Sequence, residues 1–72
     1  SPEKPFLATP SAIDLYTEQT IVACLNVLRH EAEKHNGLDY LQVFLSDEHR
    51  ENLWFIEDGI RGAITALLPS DY

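Results

Sequence analysis

The chain has 72 residues, 44% of them hydrophobic, and its twelve acidic and five basic side chains leave a net charge of −7. A chain of this length forms one domain at most and buries only about 60% of the surface its unfolded form exposes, while the apolar fraction is too high for a disordered tail. The acidic balance disfavours direct nucleic-acid binding, which depends on clustered Lys and Arg, and no apolar run approaches the roughly 18 residues needed to cross a bilayer.

Cys24 is the single cysteine. Small secreted domains normally need several disulfides, so a reducing, cytoplasmic setting is the expectation. Ser1-Pro2-Glu3-Lys4-Pro5 lacks the basic-then-apolar layout of a signal peptide. Residues 1–10 hold three of the four prolines and read as an extended arm anchored by Phe6 and Leu7, with residues 11–72 as a single domain.

Thr9-Pro10, or Ser11 with Asp14 three residues on, can cap a helix, and Thr17 offers a second start. Ile13, Thr17, Ile21, Cys24, Leu25, Leu28 and Ala32 then recur at spacings of three and four, the pattern of an amphipathic helix. Arg29, His30, Lys34 and His35 suit its C-terminal dipole, and Asn36-Gly37 supplies a left-handed terminator. From Leu38 to Ser46 the period becomes two. Leu53 to Glu57 reads as a second strand after the polar loop 47–52, and Asp58-Gly59 as a hairpin turn into a third strand over Gly62 to Leu68, ended by Pro69. The expected fold is α+β: one N-terminal amphipathic helix packed on a three-stranded antiparallel β-meander (α-β-β-β), with Phe6 and Leu7 available as a short edge strand.

One helix covers one face of such a sheet, and a face that meets water should then alternate cleanly between apolar and polar residues. These strands do not. With Leu41, Val43, Leu45, Leu53 and Phe55 toward the helix, Tyr40, Phe44, Trp54 and Ile56 point the other way, with Ile64, Ala66 and Leu68 on one face or the other. A large exposed apolar patch marks an interaction site, and Trp and Tyr are enriched at binding hot spots. The alternative is that the arm folds back and lays Phe6 and Leu7 on this face. Otherwise a protein partner covers it, most simply a second copy in a homodimer.

Other constellations carry less. His30 and His35 are five apart, about 140° out of register on a helix, so they fail the spacing of a two-histidine metal helix. Cys24 falls inside the apolar stripe, where an inert thiol is the rule. Gly59-Ile60-Arg61-Gly62 has the spacing of a backbone-clamping loop, but in a hairpin rather than between helices. No nucleophile–base pair follows from spacing, so the expectation is a non-enzymatic module without cofactor or metal. The acidic residues Asp47, Glu48, Glu51, Glu57 and Asp58 raise a second reading, an inhibitor that imitates DNA against a basic protein partner. The closing segment Ala63 to Tyr72 resembles small bacterial, phage or plasmid proteins, a likeness that carries no function with it.

Overall fold

A computed structural model of the chain describes residues 5–35, 41–57 and 62–72. Over them the architecture is α+β. In chain order it runs β1 (Phe6–Ala8), α1 (Pro10–Tyr16), α2 (Glu18–His35), β2 (Leu41–Phe44), β3 (Leu53–Glu57), β4 (Ile64–Leu67) and a 3-10 turn, Pro69–Asp71.

The expected single helix is two helices, and both candidate starts are used. Thr9 caps α1, its hydroxyl accepting the Ala12 N–H at 3.2 Å, and Pro10 occupies the first turn, where a missing N–H costs nothing. The break falls at Thr17, whose φ of 71° and ψ of 152° lie outside helical space. Its N–H still closes α1 on the Ile13 carbonyl at 2.9 Å, while its hydroxyl accepts the Thr20 N–H at 3.3 Å and so opens α2. The break also changes the phase of the apolar stripe. α1 buries Ala12 and Tyr16 rather than Ile13, whereas α2 keeps the expected face and buries Ile21, Leu25 and Leu28. Asn36-Gly37, the expected terminator, lies outside the described residues.

The sheet order is β1-β4-β3-β2. β2, β3 and β4 form the expected antiparallel meander, and β1 adds a fourth strand parallel to β4. Backbone bonds from Ile64 N–H to Pro5 (2.9 Å) and from Thr9 N–H to Ala66 (3.0 Å) fasten β1 at both ends. Much of the expected arm is thus an edge strand that extends the sheet.

The core lies between the helices and one sheet face. Leu53, Phe55, Ala66 and Leu68 meet Ala12, Tyr16, Ile21, Leu25 and Leu28 there, and each large side chain so buried contributes about 1.5–3 kcal/mol. Ala66 sits directly opposite Phe55. Its small side chain leaves room for Phe6 to reach across β4 and stack on Phe55, with centroids 6.3 Å apart, while Phe44 meets Phe55 edge-on at 5.6 Å from the other side.

That aromatic row corrects the expected facing of β2. Residues directly opposite each other on antiparallel strands share a face, and the register pairs Phe44 with Leu53 and Val43 with Trp54. Phe44 therefore joins the helix-covered core, while Leu41 and Val43 turn outward. Both alternating sets of β2 are apolar, so the period of two defines the faces without saying which is inside. The packing against Phe55 decides it, because the larger aromatic ring buries more surface than valine.

The chain's last turn is tied to the start of α1. The Asp71 carboxylate accepts hydrogen bonds from the hydroxyls of Ser11 (2.5 Å) and Thr9 (2.7 Å) and from the Leu68 N–H (2.9 Å). Among the described residues, no helix is long and apolar enough to cross a membrane.

Candidate functional site

The sheet's second face is built from two cross-strand rows. Register places Leu41, Ile56, Thr65 and Leu7 side by side across all four strands, and Val43, Trp54 and Leu67 in the next row across β2, β3 and β4. None of these seven residues is charged in a chain of net charge −7. Leu7 (58%), Val43 (43%) and Leu41 (36%) are the open members. Trp54 and Ile56 are half-buried at the centre, on an inner strand. Tyr72, 78% exposed, meets Trp54 edge-on at 5.7 Å and prolongs the apolar surface at that end.

β1 does not shelter this face. Phe6 and Ala8 point into the core and only Leu7 lies on the outer side, so β1, the described part of the expected arm, widens the sheet instead of covering it.

Of the residues expected to bind a partner, Trp54 and Ile56 lie together here, Phe44 lies on the opposite, helix-covered face, and Tyr40 is outside the described residues. Leu41, Val43 and Leu7 complete the surface, while Leu67, in the same row as Trp54, is buried. Their signal was in the sequence: β2 is apolar on both faces, and either choice of facing leaves bulky residues outside.

The acidic residues do not share one surface. Asp47 and Glu48 are exposed in the loop between β2 and β3. The Glu51 carboxylate instead holds the C-terminal turn, accepting the Ser70 N–H at 2.9 Å and its hydroxyl at 2.8 Å. Glu57 pairs with Ile64 and so lies on the helix-side face, and Asp58 is outside the described residues.

The same loop holds a polar cluster that spacing did not reveal. The Ser46 hydroxyl lies 2.7 Å from His49 Nδ1, and the His49 ring stacks on Tyr16 with centroids 4.0 Å apart. A hydroxyl beside an imidazole is the opening geometry of nucleophilic catalysis. Here both groups serve the loop: Ser46 Oγ also accepts the Glu48 N–H (3.3 Å), Ser46 N–H donates to Asn52 Oδ1 (3.1 Å), and Tyr16 donates its phenol to the Glu51 carbonyl (2.5 Å). Burial pushes the Tyr16 phenol above its usual value, with Ser46 acting in the opposite sense, so Tyr16 remains a neutral donor at physiological pH. Burial likewise raises the Cys24 thiol, which keeps it from the thiolate form a nucleophile needs.

Among the described residues, no group of three His, Cys, Asp or Glu side chains is placed to hold a metal ion. No family model, curated protein or solved structure matches the chain.

Proposed function

We propose that this protein is a non-enzymatic interaction module that docks a protein partner on the uncharged face of its sheet, around Trp54 and Ile56. The observation that carries the reading is the segregation of charge. Leu7, Leu41, Val43, Trp54, Ile56, Thr65 and Leu67 form two adjoining rows without an ionisable group, although 24% of the chain is Asp, Glu, Lys or Arg. Fold stability does not require this, because the helices already cover the opposite face and complete the core there. An uncharged apolar surface with an aromatic centre fits a docking site better than a solvated face. The mimic reading has less support, since Glu51 is engaged at the C-terminal turn and Glu57 lies on the other side of the sheet.

The test is positional. Val43 on the sheet and Val22 on α2 are equally exposed, at 43%. A photo-crosslinking amino acid placed at position 43 or 56 in cells should form protein adducts, and the same group at position 22 should not. Equal labelling from positions 22 and 43, or none from 43, contradicts the reading.

A further inference from the structure

We infer that the final turn, Pro69 to Tyr72, is a strap that holds the Tyr72 ring against Trp54, and that a docking partner must displace this ring to reach the middle of the face; the inference rests on the interaction reading above and concerns its regulation.

The first argument is what touches Trp54. The Tyr72 ring meets it edge-on, with centroids 5.7 Å apart and planes at 65°, yet Tyr72 itself stays 78% exposed. The ring shields one flank of the tryptophan while gaining little burial of its own. An edge-on aromatic pair alone favours contact by only about two- to tenfold, so the position of an exposed ring depends on what holds the backbone behind it.

The second argument is that backbone. The Asp71 carboxylate takes hydrogen bonds from the Ser11 hydroxyl (2.5 Å), the Thr9 hydroxyl (2.7 Å) and the Leu68 N–H (2.9 Å). One residue earlier, the Ser70 N–H and hydroxyl donate to the Glu51 carboxylate at 2.9 and 2.8 Å. The Tyr72 N–H then closes the turn on the Pro69 carbonyl at 3.1 Å. Hydrogen bonds to an ionised acceptor are about twice as strong as neutral ones. Both anchors are themselves fixed: Ser11 precedes the fully buried Ala12 in the first turn of α1, and Tyr16 holds the Glu51 carbonyl. Leu68, at the base of the strap, is fully buried, whereas Ser70, Asp71 and Tyr72 are exposed and lie outside the core. The ties to residues 70 and 71 therefore pack no core side chain of the turn; what they place is the ring beside Trp54.

A site that is open only part of the time binds with its affinity reduced by the open fraction. Loosening the strap should raise affinity at the face. If Tyr72 were instead part of the docking surface, removing it should lower affinity, so the sign decides between the two roles.

Trp54 is the chain's single tryptophan, and quenching of its fluorescence by acrylamide reads the strap directly. Tyr72→Ala removes an exposed ring and puts the fold at little risk. It should raise the quenching constant about twofold by opening one flank of the indole. Asp71→Ala should raise it to a similar level, although its carboxylate is bonded to Ser11, Thr9 and Leu68, and the double variant should show no further increase. Unchanged quenching in either single variant, or additive increases in the double variant, would overturn the strap. For docking, the crosslinking group at position 43 should give about two- to tenfold more adduct in Tyr72→Ala than with Tyr72 in place. An unchanged or lower yield overturns the gating and leaves the interaction reading intact; no adduct with either residue at position 72 removes both.

Discussion

Ser11 and Asp71, sixty positions apart in sequence, are joined by a 2.5 Å hydrogen bond from hydroxyl to carboxylate. With Thr9 and the Leu68 N–H on the same carboxylate, the contact closes the chain on itself. It links the first turn of α1 to the final 3-10 turn, beside the edge where β1 joins β4.

These donors, the Ser11 hydroxyl foremost, hold the Asp71 carboxyl below its ordinary value of 3.8. A carboxyl depressed in the folded state adds stability that is present above the unfolded value and is lost as pH falls through the folded one. Wild type should therefore melt at a higher temperature than Asp71→Asn above about pH 4, and the gap should close as acid protonates the carboxylate. Thermal unfolding across a pH series checks this; a gap that stays constant down to strong acid would remove the clamp from the account.

The facing of β2 has an energetic signature. Phe44 is packed on Phe55 and Val43 is 43% exposed. Phe44→Ala should cost about 2 kcal/mol through the lost contacts and the cavity, and Val43→Ala at most about 1 kcal/mol. Denaturant unfolding of dilute protein measures both, and the reverse order would restore the facing expected from the sequence.

Thr17 is a β-branched residue at φ 71° and ψ 152°, a region that glycine alone enters freely. Thr17→Gly relieves that strain and forfeits the weak cap on Thr20, for a net gain of about 0.5–1 kcal/mol. A loss of stability, measured by the same unfolding assay, would show that the cap outweighs the strain.

The α+β class, the meander and the buried stripe of α2 were legible because Ile21, Leu25 and Leu28 repeat at one helical period and Leu53 and Phe55 at a strand period. The break at Thr17 was half-legible. Threonine signals a cap, but neither the positive φ at Thr17 nor the tertiary contact beside it, Tyr16 reaching the β2–β3 loop, has a signature in local spacing. The parallel pairing of β1 was not legible, because the four residues between Pro5 and Pro10 are too few to show a period. The uncovered face could be inferred as a surplus of apolar side chain, but its membership depended on the register that places Val43 opposite Trp54.

Tyr16 is the second long-range anchor, donating to the Glu51 carbonyl and stacking on His49. Tyr16→Phe keeps most of the stacking surface and removes the donor, for a cost of about 0.5–1.5 kcal/mol. Backbone amides of residues 46–52 should then exchange faster while those of α2 hold; uniform change along the chain would argue against a local anchor.

The face itself is tested most directly by two-dimensional NMR of the labelled chain in plain buffer and in concentrated cell extract. Line broadening in the extract should gather at Leu41, Val43, Trp54, Ile56 and Thr65 and leave the outer side of α2, at Val22 and Val27, in place. Broadening centred on α2, or spread evenly along the chain, would contradict docking through the uncharged side of the sheet.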